Sequence, residues 1–255
     1  MTLAGKDLAG KDIVTAAMLV IGDEILSGRT KDKNIGFLAD HLTAIGIQLK
    51  EVRVVPDVED KIIAALDALR SGYDYVFTTG GIGPTHDDIT ADAIAKAFGV
   101  GIDVDPRAVA IMAPHYAARG LEFTAARLRM ARIPAGAELI ENPVSRAPGF
   151  MIGNVVVMAG VPNIMQAMLL AVTPRLTTGK RMMSATLTVR RPESEIAELF
   201  GDVQKQFPDV PMGSYPFSDE QGYGSNLVLR ALEPERLSAA QDALRARLAA
   251  AGIKV

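Results

Sequence analysis

Tyr73-Asp74-Tyr75-Val76-Phe77-Thr78-Thr79-Gly80-Gly81-Ile82-Gly83-Pro84-Thr85-His86-Asp87-Asp88 is the stretch that decides the fold. Tyr73–Thr78 reads as a buried strand, and it runs directly into glycines. Behind the glycines, Thr90 to Phe98 has helical spacing and stops at Gly99. A strand that turns through glycine into a helix is part of an alternating β/α fold.

The upstream sequence repeats that alternation. Ala16–Ile21 is a continuous apolar run ending at Gly22-Asp23, a strand covered on both faces. Asn34 stands before Ile35, Leu38, Ala39, Leu42 and Ile45, so it is expected to cap a helix that Gly46 ends. Ile47–Val55 reads as a strand. Asp57 is expected to cap a helix whose inner face is Ile62, Ile63, Leu66 and Leu69, ending near Gly72. The order β-α-β-α-β-α predicts a parallel sheet with helices on both faces, and ligands at the carboxyl ends of its strands.

Downstream, Asp105-Pro106 opens a helix closed by Gly120, and Ala125–Arg132 reads as another short one. Phe150–Ile152 and Val155–Met158 flank Gly153-Asn154, a hairpin signal. Gly160-Val161-Pro162-Asn163 starts a helix carrying Ile164, Met165, Met168 and Leu169, whose methionines read as core. The pattern then changes at the polar break Thr177–Arg181. Beyond it, strands are expected at Met182–Val189, Val210–Tyr215, Asn226–Leu232 and Ile253–Val255, with helices at Glu193–Gln206 and Glu235–Ala250. That β-α-β-β-α-β order predicts a small ferredoxin-like α+β domain. The expected division is a tail over residues 1–12, an α/β domain over 13–177 and a small α+β domain over 178–255.

Composition narrows the function. The chain has 255 residues, 49% of them hydrophobic, and a formal net charge of −3. That charge leaves no basic footprint for nucleic acid. The absence of cysteine excludes disulfides, thiolate zinc sites and a cysteine nucleophile, while three scattered histidines argue against a histidine-rich metal site. The polar N-terminus lacks the apolar segment of a signal peptide, and no apolar run is long enough to span a bilayer. A cytoplasmic protein with no membrane partner is expected.

Three clusters carry chemistry. Gly80, Gly81 and Gly83, with Thr79 and Thr85, form a loop whose backbone N–H groups suit phosphate oxygens, and Asp87 and Asp88 are hard oxygen ligands for a magnesium-type ion. The same glycines also suit a tight turn. The loop is neither a P-loop nor a dinucleotide fingerprint, because the required Gly-Lys-Ser/Thr and the third glycine are missing. The second cluster is Gly22, Asp23, Glu24, Ser27, Gly28, Arg29 and Asp32, with Lys31 and Lys33; its cations suit phosphates. The third joins Arg146, within Ser145–Phe150, to Gly160, Pro162 and Asn163 at another helix start. His86 reads as a hydrogen-bonding side chain; His41 and His115 have no assigned role.

Taken in order, Ile21–Thr30, Thr78–Thr90, Ala147-Pro148-Gly149-Phe150 and Gly160-Val161-Pro162 resemble the competence/damage-inducible protein A (CinA) family. More broadly they resemble the MoaB/Mog fold of molybdenum-cofactor biosynthesis, over about Ala16 to Val172. The resemblance implies a three-layer α/β/α domain with a mostly parallel sheet, in a homo-oligomer (dimer or trimer). It implies first a pyrophosphatase of ADP-ribose- or FAD-like dinucleotides using Mg2+ or another divalent metal such as Co2+, together with K+, and as the alternative molybdopterin binding or adenylylation. By motif matching, Asp32 and Asp88 fall on the two catalytic carboxylates, and Gly80–Thr85 on the phosphate cradle. Met158-Ala159 stands where the CinA family commonly has Leu-Pro, and Arg127–Arg132 replaces an Asn/Gln-containing segment. The chain ends at Val255 without the amidohydrolase domain of many CinA proteins, so nicotinamide-nucleotide deamidation is not expected. A catalytically silent regulatory module is the remaining alternative.

Overall fold

The computed structural model describes residues 7–220 and 222–255. They divide into two compact units that meet in the chain at Gly179 and Lys180.

In the first unit, β1 (Val14–Ile21) leads through a short helix α1 (Asp23–Leu26) to α2 (Asn34–Ala44) and β2 (Ile47–Val55). Helix α3 (Glu59–Gly72), β3 (Tyr75–Thr79) and α4 (Thr90–Phe98) follow. Next come β4 (Ile102–Val104), α5 (Pro106–Ala117), α6 (Ala125–Arg129), β5 (Arg132–Pro134) and β6 (Glu138–Ile140). The hairpin β7 (Gly149–Ile152) and β8 (Val155–Met158) and the helix α7 (Pro162–Val172) complete it.

Six strands form one sheet in the order β2-β1-β3-β8-β7-β6. The first four are parallel; β7 adds antiparallel to β8, and β6 antiparallel to β7. Burial on both faces explains why β1 is apolar from Ala16 to Ile21. Ala17, Leu19 and Ile21 enter one core with Ile62, Leu66 and Leu69 of α3, Ile94 of α4 and Met112 of α5. Ala16, Met18 and Val20 enter the other with Leu38 and Leu42 of α2 and Met165, Met168 and Leu169 of α7. This is the expected three-layer α/β/α arrangement. Each fully buried leucine or isoleucine contributes roughly 1.5–3 kcal/mol.

Several local expectations need correction. Asp57 does not cap α3; Val58 holds that position without a side-chain cap, and Asp57 Oδ2 accepts the Asp23 N–H at 2.9 Å. Asn34 is the first residue of α2 rather than its cap. Lys33 holds the cap position, and Asp32 just before it takes over the cap's role, its Oδ1 accepting the N–H groups of Asn34 (3.0 Å) and Ile35 (2.8 Å). The helix at Ala125 stops at Arg129, because Arg132–Pro134 pairs with β4 as a two-stranded ribbon. In the expected tail, residues 1–6 lie outside the described residues. Beyond them Leu8 is buried in the α2/α7 core, and Lys11 Nζ donates to both oxygens of Asp74 at 2.6 Å.

The second unit contains β9 (Met183–Val189), α8 (Glu193–Gln206), β10 (Met212–Asp219), β11 (Gly222–Ala231) and α9 (Pro234–Ala250). Its antiparallel sheet runs β10-β11-β9, and Leu187, Leu227 and Leu229 pack against Ile196 and Val203 of α8 and Leu244 and Leu248 of α9. The ferredoxin-like α+β plan is present with three strands. The expected strand at Ile253–Val255 does not form: Gly252 turns the chain at φ 71°, and the Ile253 N–H bonds back to Leu248 O at 2.9 Å.

Candidate functional site

The carboxyl ends of β1, β3 and β8 meet at Gly80. A Cβ there would stand 2.0 Å from the carbonyl oxygen of Ile21, so only glycine allows the two backbones to approach. Its φ is 101°, a value L side chains rarely adopt. At Gly81, with φ 66°, a Cβ would lie 2.1 Å from Thr90 Oγ1. That hydroxyl donates to Gly80 O at 2.9 Å, and the Thr90 N–H donates to Gly81 O at 3.0 Å. The start of α4 thus clamps the loop from behind. Gly160, between β8 and α7, closes on the other side, where a Cβ would be 3.3 Å from Gly80 Cα. Asn34 joins this wall to α2, its Nδ2 donating to Gly160 O at 2.8 Å.

These loops border a cleft of about 530 Å³, within the size range of small-molecule sites. Of the expected residues, Glu24, Gly80, Gly81, Gly83, Asp88, Gly160 and Pro162 line it. Most of the remaining wall is apolar, including Ile82, Met130, Ala147, Ala159, Ile164 and Met168. The N–H groups of Gly81, Ile82 and Gly83 have no acceptor among the described residues.

Other expected residues lie elsewhere. Gly22, Asp23, Ser27, Gly28, Arg29, Asp32, Thr79, Thr85, Asp87, Arg146 and Asn163 are outside the cleft lining. Arg29 is exposed on the loop after α1. Arg146 turns toward Glu141, with Nη1 3.8 Å from Oε1. Among the described residues, therefore, no lysine or arginine lines the cleft. His86 is almost fully exposed. Thr79 Oγ1 is buried without a partner among the described residues.

Asp88 Oδ2 accepts the Thr85 N–H at 2.8 Å and the Thr85 hydroxyl at 2.5 Å, which closes the loop on itself. Arg129 Nη2 donates to Asp88 O at 3.0 Å, fastening α6 behind the loop. Asp57 was not among the expected site residues. Burial pushes its carboxyl up, and the charges of Glu24, Asp23 and Asp87 push it further, against the Asp23 N–H bond that lowers it. An acidic patch thus sits beside the glycine loop.

The other missed residue is Asn142, which is 2% exposed and lines the cleft with Ser145. Its Oδ1 accepts the N–H groups of Val144 (3.0 Å) and Ser145 (3.2 Å). Its Nδ2 donates to Ser145 Oγ at 2.6 Å and Ala147 O at 2.8 Å. One side chain therefore holds the whole turn, and within it Arg146 is driven to φ 66°, the one non-glycine positive φ among the described residues.

No described helix is long and apolar enough to cross a membrane. Residues 17–178 match the family model described as "Probable molybdopterin binding domain", and residues 181–255 match "FAD synthase, middle domain". A protein of Pyrobaculum calidifontis is 36% identical over 211 residues, covering 79% of this chain and 80% of that protein. A Caenorhabditis elegans protein named "Probable FAD synthase" is 32% identical over 260 residues, covering 92% of this chain but 50% of its own length. The crystal structure of CinA from Thermoplasma acidophilum aligns with TM-score 0.60 and 35% identity, covering 65% of this chain and 99% of that one. The glycine-clamped strand ends and these matches lead to one conclusion: the chain belongs to the molybdopterin-binding-domain family, with a MoaB/Mog-like fold related to CinA.

Proposed function

We propose that this chain binds a phosphate-bearing heterocyclic compound, a phosphopterin of the molybdopterin class or a nucleotide, in the cleft beside the glycine loop. The three unpaired N–H groups of Gly81, Ile82 and Gly83 are the observation that carries this reading. They suit phosphate oxygens, and the apolar surface around Ile82, Ile164 and Met168 suits a flat ring. The family match to a molybdopterin-binding domain favours the pterin.

A divalent metal does not fit the protein residues by themselves. No group of three or more His, Asp or Glu among the described residues is arranged to hold one. Asp32 is engaged in capping α2 and Asp88 in closing the loop on Thr85. Hydrolysis of an ADP-ribose- or FAD-like pyrophosphate is the second reading, favoured by the match of residues 181–255 to the middle domain of FAD synthase.

Calorimetric titration with FMN, FAD, ADP-ribose and a molybdopterin-class phosphopterin tests the first reading. Wild type should bind at least one, and Gly81→Ala should weaken it tenfold or more, since its Cβ meets Thr90 Oγ1 and displaces the loop. Titrations flat for all four compounds refute it. Release of AMP from FAD or ADP-ribose with Mg2+ or Co2+, abolished in Asp88→Ala, would establish the second.

A further inference from the structure

We infer that Ser145 is a specificity-determining hydrogen-bond donor in this cleft, held in that role by Asn142; the inference rests on the ligand reading above. The argument turns on which way the Asn142 amide faces. Its oxygen meets two backbone N–H groups, from Val144 and Ser145, and its nitrogen meets the backbone carbonyl of Ala147. Backbone groups cannot exchange donor for acceptor, so the amide orientation is fixed without reference to Ser145. Nδ2 therefore donates to Ser145 Oγ, 2.6 Å away, and the serine oxygen must accept.

A hydroxyl that accepts in one direction turns its hydrogen elsewhere. Ser145 Oγ has no acceptor of its own among the described residues, and the residue lines the cleft. The hydroxyl thus presents a donor to the cleft, whose lining is largely apolar and includes Ala147, Ala159 and Ile164. A lone oriented donor on such a wall selects an acceptor oxygen, either of a phosphate or of a ring carbonyl. It disfavours a ligand that places an amino group there, because two donors would then face each other.

Flavin fluorescence titrations with FMN and riboflavin, which differ by the phosphate, test this and separate the two sources. Ser145→Ala should weaken FMN binding about tenfold, and Ser145→Thr should restore it. A loss confined to FMN assigns the phosphate as acceptor; an equal loss for both flavins assigns a ring carbonyl. Asn142→Asp supplies a carboxylate that accepts from the Ser145 hydroxyl and turns it from the cleft. It should reproduce the loss, and Ser145→Ala should cost nothing further in that background. If Asn142→Asp fails to fold, the Ser145 variants decide alone. Affinities for both flavins unchanged in Ser145→Ala overturn the inference, while a loss in Gly81→Ala in the same experiment keeps the ligand reading. Wild type that binds neither flavin overturns the inference, while the ligand reading stands or falls on the four-compound titration above.

Discussion

The two walls of the cleft are held rigid by opposite means. The glycine-loop wall is rigid because side chains are absent: Gly80 lets the ends of β1 and β3 touch backbone to backbone, and Gly81 lets α4 press its first threonine against the loop. The Asn142 wall is rigid because one side chain is present, filling four hydrogen-bonding positions of a turn with no regular structure. The first wall offers backbone N–H groups and the second an oriented hydroxyl. Backbone contact tolerates no added atom, whereas a side-chain latch fails when its atoms are removed. Substitutions should therefore break the two walls in opposite directions of size.

The largest effect is expected at Gly80. Gly80→Ala would set a methyl 2.0 Å from the Ile21 carbonyl in a backbone conformation of φ 101°. Overpacking and backbone strain together should cost about 3 kcal/mol or more. For a chain of this size that lowers the melting temperature by roughly 6–12 °C, readable by calorimetry. A loss below about 1 kcal/mol would mean the strand ends can part, and the account of this wall would fail. Next in size is Asn142→Ala. It leaves the Val144 and Ser145 N–H groups and the Ala147 carbonyl without their partner and opens a buried gap. The expected cost is about 2 kcal/mol, measured by urea unfolding. Because the Asn142 side chain forms the latch, Arg146 should also leave its positive φ, which backbone chemical shifts would report.

The same contrast explains what could be read from the sequence. A glycine run at the end of an apolar strand has few meanings, so the parallel sheet, the loop and its place at the strand ends were legible. Asn142 was not: an asparagine between Glu141 and Pro143 resembles any polar loop residue, and its importance arises from burial. Asp32 shows the reverse. Beside its match to a catalytic position it has a simpler property: an aspartate just before a helix accepts that helix's first N–H groups. Arg29 and Arg146 lie outside the cleft lining for a related reason, since sequence proximity to the loop does not tell which way a side chain points. The three-residue strands β4, β5 and β6 are too short to show a period, and Ile253 satisfied an apolar pattern by packing on the small core instead of pairing.

The smallest expected effect concerns charge and belongs only to the glycine wall. Asp57 accepts the Asp23 N–H while its carboxyl is partly desolvated and faces Glu24, Asp23 and Asp87. Its folded pKa therefore lies above the unfolded value of about 4. The sign follows from linkage: the fold favours the protonated form, so this group lowers stability as pH rises from the unfolded pKa through the raised folded one, and the penalty persists above it. Asp57→Asn keeps an oxygen to accept the Asp23 N–H and removes the charge. The variant should be modestly more stable than wild type at pH 7, and the difference should vanish near pH 3. Urea unfolding of both proteins at the two pH values measures this directly. A variant destabilised at pH 7 would show that the carboxylate charge is needed where it stands, and would turn the acidic patch from a local cost into a working part of the glycine wall.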